Sequence, residues 1–218
     1  MKFAISYSGG KDCALATYRM IAAGHTPVAL ITTLSAGQDR SWFHGIPKDL
    51  LEAVSDSMEI PLIACACDPE QYTQAYEQGL AKVREMGVRA CVFGDIDIDD
   101  HKRWNEARCE AAGLDCILPL WGQNREALVR ETIEAGFRAM IKIVQSDQLD
   151  ESFLGKDLTG ELVEKIQAAG CDVCGENGEY HTFVHGGPIF KRPIPLKIGE
   201  VVDLGRHKAI DISLAQPK

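Results

Sequence analysis

Two stretches of this 218-residue chain hold side chains whose types and spacing can do chemistry. The first is Ser8-Gly9-Gly10-Lys11-Asp12-Cys13. Adjacent glycines let a backbone approach a ligand closely and adopt positive φ. A helix starting there would offer unpaired N–H groups and the positive end of its dipole, which favour phosphate. Lys11 can neutralise phosphate charge. Asp12 is out of place in a pure anion site and makes sense holding Mg2+ beside the phosphates. The plainer alternative is a glycine turn with a capping aspartate. Two other nucleotide signatures are absent. A Walker A loop needs glycine where Ile5 stands and Ser or Thr where Asp12 stands, and the dinucleotide fingerprint spaces its glycines apart.

The second stretch is Cys174-Gly175-Glu176-Asn177-Gly178-Glu179-Tyr180-His181-Thr182-Phe183. Glu176, Glu179 and His181 fall within six residues on a glycine-broken turn that runs into a strand-like segment. Such a turn can aim several side chains into one cleft, for acid–base work, ammonia positioning or metal help. The plain alternative is a solvated turn whose glutamates face water.

The elements that would hold these groups alternate through the first half. Residues 2–8 read as a buried strand, and 12–23 carry apolar residues at helical spacing with Gly24 as the stop. Strands follow at 27–34, 61–65, 88–93 and 115–118, and helices at 48–58, 71–85 and 101–112, with a polar loop at 35–47. Nearly continuous apolar strands alternating with helices predict an α/β fold with a parallel sheet covered on both faces. Ligands of such sheets sit at the carboxyl ends of the strands, where Ser8–Cys13, the 35–47 loop and residues 94–96 fall. Beyond about residue 122 the pattern loosens. A helix is expected at 126–135, a strand at 139–144 and a helix at 159–169, with short strand pieces in a tail rich in Gly, Pro and His. The division expected is 1–122 for nucleotide binding and 123–218 for a smaller α+β domain covering the same face.

Composition narrows the classes. The net charge is −9, which disfavours broad nucleic-acid binding. No apolar run is long enough to cross a membrane, and the opening MKFAISYSGGKD lacks the pattern of a secretory signal. A soluble, cytoplasmic protein is expected. The eight cysteines, several inside apolar runs, read as small buried hydrophobes in a reducing compartment. Cys65 and Cys67 with Cys171 and Cys174 could form a four-thiolate zinc site, but their separation matches no compact zinc module.

The first stretch resembles the PP-loop of the ATP-pyrophosphatase superfamily, Ser-Gly-Gly-x-Asp-Ser/Thr, with Cys13 replacing the hydroxyl residue. Together with residues 94–96 (GDI), 119–121 (PLW), 154–155 (LG), 175–184 (GENGEYHTFV) and 187–190 (GPIF), in that order, the chain is similar to the diphthine–ammonia ligase family. Asn177 departs from the Glu-Gly-Gly-Glu form associated with eukaryotic and archaeal members. The resemblance implies a nucleotide-binding domain of the HUP, or adenine nucleotide alpha-hydrolase-like, type. It implies that Ser8, Gly9, Gly10, Lys11, Asp12 and Cys13 hold the phosphates of ATP with Mg2+ on Asp12. Thr33, Leu34, Gly94 and Asp95 would border the adenosine, and His44 and Gly45 would lie over the nucleotide. Trp104, Glu106, Glu176, Asn177, Glu179, His181 and Thr182 would face the acceptor. Trp104 also has a plain reading as an aromatic packed between domains.

The activity expected on this resemblance is amide formation. A carboxylate attacks the α-phosphorus of ATP, and ammonium supplies nitrogen to the acyl-adenylate, with Lys11, Asp12, Glu176, Glu179 and His181 as the catalytic candidates. Expected partners are a carboxylate-bearing acceptor (diphthine on elongation factor 2 where it is made), ammonium and a second copy of the chain, with no nucleic acid and no membrane. Rivals are adenylation of another carboxylate, tRNA thiolation through Cys13, Cys171 or Cys174, and a nucleotide sensor without catalysis.

Overall fold

The computed structural model describes residues 1–215. The first half alternates as the apolar spacing predicts: β1 (Lys2–Ser6), α1 (Lys11–Ala22), β2 (Thr26–Ser35), β3 (Arg40–Ser41), α2 (Lys48–Met58), β4 (Leu62–Cys67), α3 (Tyr72–Glu85), β5 (Ala90–Val92), α4 (Asp99–Ala112) and β6 (Asp115–Ile117). The second half contains α5 (Arg125–Glu134), β7 (Ala139–Gln145), α6 (Gly160–Ala168), β8 (Tyr180–Val184), β9 (Leu196–Asp203) and β10 (His207–Leu214). Two elements differ from the sequence reading. The 35–47 loop contains the short strand β3, and β10, whose charged and apolar residues show no clean alternation, completes a hairpin with β9.

β1 lies between β2 and β5 and pairs with both in parallel; β6 continues beyond β5, and β4 pairs in parallel with β2. The chain therefore leaves β1 toward one side and later returns on the other. That reversal of strand order opens a crevice at the carboxyl end of β1, and the Ser8–Cys13 loop occupies it. β8, β7, β10 and β9 form a second, antiparallel sheet in that order.

The two sheets share one apolar interior. Phe3 and Ile5 of β1, Ala14 and Leu15 of α1, Leu50 of α2, Ile141 of β7 and Phe183 of β8 belong to one continuous cluster. A second cluster, on the other face of the parallel sheet, packs α3 and α4 against Ala4, Ile31 and Cys91. Burying such surface stabilises by roughly 25 cal/mol per Å2, so the shared interior fixes β8 against the Ser8–Cys13 loop. No helix among the described residues is long and apolar enough to cross a membrane.

Candidate functional site

The glycine pair does what its sequence suggests sterically. Gly9 takes φ +87°, where a side chain would be strained, and Gly10 passes so close to the His44 ring that a Cβ would lie 2.7 Å from it. α1 then begins at Lys11 with no side-chain cap from Gly10. Its first free N–H is satisfied from the other sheet instead: the Lys11 amide donates to Thr182 Oγ1 at 3.0 Å. The Val184 amide donates to the Gly9 carbonyl at 2.8 Å, tying β8 to the same loop. Among the described residues, the amides of Asp12 and Cys13 find no acceptor, so they remain for an anion. Gly94 is required by close approach, because a Cβ there would lie 2.6 Å from the Asp12 carbonyl carbon and the Cys13 nitrogen.

This corner opens on a cavity of about 500 Å3, within the size range of small-molecule sites. Ser8, Lys11, Asp12 and Cys13 line one end together with Cys174 and Glu176. Tyr72, Tyr76 and Trp104 form an aromatic wall, with Trp104 centred 6.0 Å from Tyr72 and 5.1 Å from Tyr76. Trp104 thus packs against the second cluster and also faces the cavity. A side recess of about 80 Å3 shares several of these walls and is lined by Thr33 and Trp42. The buried Trp42 indole N–H has no acceptor there among the described residues.

The charges at the Lys11 end of the cavity are interdependent. Lys11 is only 4 % exposed, and its ammonium contacts Asp12 at 2.8 Å. Burial opposes that charge, but Asp12 and the other acidic groups around it outweigh the penalty and hold its pKa well above the usual value. Burial, then the Asp12 carboxylate, pushes Glu176 up to about 7. Burial lowers His44 to about 4 and His181 to about 3, so both imidazoles are neutral near pH 7. The His44 Nδ1 lies 2.9 Å from the Thr182 carbonyl, which can only accept, so Nδ1 carries the proton and Nε2 keeps a lone pair. Burial raises the thiols of Cys13 and Cys174 to about 11 and about 12, which opposes the thiolate that sulfur transfer needs.

Several candidates stand elsewhere. Glu179 is buried away from the cavity and accepts from the amides of Asp172 and Asn177 and from the Asn177 side chain, at 3.0–3.1 Å. It braces the turn that presents Glu176. Asn177 points outward and is spent on Glu179 and Arg125. Glu106 faces solvent beside Lys102, one residue around the helix from the inward Asn105. Leu34 packs in the shared interior, on the strand face opposite Thr33. Gly45 turns the loop with φ +57° and does not reach the cavity, although His44 does. Asp95 lines the cavity, held by Asn105 at 2.8 Å and His101 at 3.1 Å. Thr182 and His181 line it from β8. Cys65 and Cys67 lie on β4, apart from Cys174. Among the described residues, the group able to share a cation is Asp12, Cys174 and Glu176.

Sequence reading missed Arg125. Its guanidinium grips Asp97 at 2.7 Å through two nitrogens, Asp172 at 2.5 Å and Asn177 at 3.3 Å. It thereby joins the loop after β5 to the turn carrying Glu176. It also missed Asn105, Tyr72 and Tyr76, whose helical positions give no chemical signal of their own.

Comparison with known proteins gives a consistent assignment. A family model described as diphthamide synthase N-terminal domain matches residues 1–116, and one described as diphthamide synthase C-terminal domain matches residues 124–212. The chain is similar to the diphthine–ammonia ligase of Homo sapiens, 31 % identical over 93 % of this chain and 85 % of that one. It is also similar to those of Bos taurus at 29 % and Rattus norvegicus at 30 %, each over 93 % of this chain and 85 % of the relative.

Proposed function

The chain belongs to the diphthamide synthase family, and from that premise we propose that it is an ATP-dependent ligase joining ammonia to the carboxylate of diphthine. ATP enters as a substrate and leaves as AMP and pyrophosphate. The observation that carries this reading is the meeting of Lys11, Asp12 and Glu176 at one end of the large cavity, beside the unpaired amides of α1.

The chemistry follows from those groups. Lys11 and the helix amides stabilise the pyrophosphate end of ATP. The acceptor carboxylate oxygen then attacks the α-phosphorus, and the bond to pyrophosphate breaks. Ammonium gives up a proton, its nitrogen attacks the acyl carbon, AMP departs with the bonding electrons, and the new amide nitrogen releases a second proton to solvent. Glu176, with its pKa near 7, is matched to take that proton at neutral pH. His181 is too weak a base at about 3, and Glu179 is outside the cavity. The aromatic wall and the Trp42 recess offer a flat apolar slot and a spare N–H donor, which suit the base of the nucleotide. β8 covers the crevice and helps to keep water from the adenylate.

Magnesium accompanying ATP would neutralise phosphate charge, and the Asp12 carboxylate at this corner suits its preference for hard oxygen ligands. The nearby Cys174 sulfur does not suit it. Residues 1–122 serve in this reading as the nucleotide half and 123–218 as the half that presents Glu176 and the cover.

The test is product analysis. Protein, magnesium, ATP and ammonium are incubated with diphthine-bearing elongation factor 2 and with simple carboxylates. AMP and pyrophosphate released in step with acceptor amidation are expected. ADP as the product, or nucleotide turnover indifferent to every acceptor, overturns the proposal.

A further inference from the structure

The cavity contains a donor set that the ligase reading leaves partly unused. Asp12 comes from the first turn of α1, and Cys174 and Glu176 come from the turn before β8. One ligand atom from each lies within 4.8 Å of the others. Cys174 is the informative member. It is 1 % exposed, it lines the cavity, and its sulfur makes no hydrogen bond among the described residues. Its neighbours differ: the Cys13 thiol donates to the Gly10 carbonyl at 3.1 Å, and Cys171 reaches Gln148 at 3.6 Å. The Glu176 carboxylate also lacks a side-chain partner, while Lys11 is engaged by Asp12.

We propose that Asp12, Cys174 and Glu176 bind a thiophilic divalent cation of the zinc class, with its remaining coordination position open to the cavity. Magnesium would use two carboxylates and leave the sulfur idle. Zinc and cobalt take sulfur and oxygen together, and three protein ligands with a fourth place free is the pattern of an accessible site. The carboxylates supply negative charge that Lys11 alone does not balance. Binding forms the metal–sulfur bond and releases the Cys174 thiol proton to solvent, so affinity rises with pH. The site requires neither ATP nor acceptor, and a cation on Glu176 would hold that carboxylate back from acting as the base, so cobalt binding is read on the nucleotide-free chain, where its failure leaves the ligase reading untouched.

Cobalt is the probe. The full chain, stripped of metal and without nucleotide, is titrated with Co2+ while the near-ultraviolet thiolate-to-cobalt charge-transfer band is followed. A saturable band at one ion per chain is expected, displaced by Zn2+ but not by excess Mg2+. It is lost in Cys174→Ser and retained in Cys171→Ser. Asp12→Asn, which leaves the buried thiol in place, shifts the midpoint to higher cobalt. Folding of each variant is checked by circular dichroism. A folded wild-type chain without the band, a folded Cys174→Ser variant that keeps it, or an Asp12→Asn midpoint equal to wild type overturns the proposal.

Discussion

The backbone amide of Lys11 and the hydroxyl of Thr182, 171 positions apart in the chain, meet at 3.0 Å and cap α1 from the opposite sheet. Helix caps contribute about 1 kcal/mol, and this one also aims the loop. Thr182→Val keeps the shape but removes the acceptor. It should lower the melting temperature and weaken ATP binding measured by calorimetry. Thr182→Ser should recover most of both.

Glu176 should govern the pH profile. Amidation is expected to rise with pH through about 7 as its carboxyl ionises, with the low rate of Glu176→Gln showing no such rise. ATP binding should persist in the variant. Because the folded-state pKa is raised, this group's contribution to stability is present below the usual glutamate range and is lost as pH rises through about 7. Glu176→Gln should therefore flatten that part of the stability curve, read by thermal melts across pH.

Glu179 and Glu106 should separate cleanly from Glu176. Glu179→Ala strands the three donors now bonded to a carboxylate only 5 % exposed. Its expected cost is about 1–3 kcal/mol in denaturant unfolding. Glu106→Ala loses a solvent-facing contact with Lys102 and should change neither stability nor rate measurably.

Lys142 offers a stabilising substitution. It is 3 % exposed, has no ion-pair partner among the described residues, and burial, aided by Arg40, lowers its pKa to about 8. A depressed lysine contributes stability at high pH that is lost as pH falls through about 8. Lys142→Met should therefore stabilise the protein at pH 7 by roughly 1–3 kcal/mol, with the gain vanishing above pH 10. An unchanged or lower melting temperature at pH 7 would refute this account.

The parallel sheet was legible because each strand is an apolar run ended by a turn residue, and the loop was legible because adjacent glycines, lysine and aspartate follow such a run. The turn before β8 was legible only as a cluster. Gly175 and Gly178, at φ +74° and +91°, rotate Glu176 into the cavity and Glu179 into the protein, and local spacing does not encode that choice. Glu106 lies outside the cavity for a related reason: near Trp104 the helix turns Asn105 inward and Glu106 outward. Arg125 was invisible because its acceptors lie 28, 47 and 52 residues away. Their proximity exists only after both sheets are assembled.

Phe183 packs 3.4 Å from where a side chain would begin at Gly9, and the apolar cluster runs unbroken from β1 to β8. Two separately expressed halves would each bear an uncovered oily face, and neither would form a competent nucleotide pocket alone. Heating the intact polypeptide should then melt it in a single cooperative endotherm, however many modules its family divides it into.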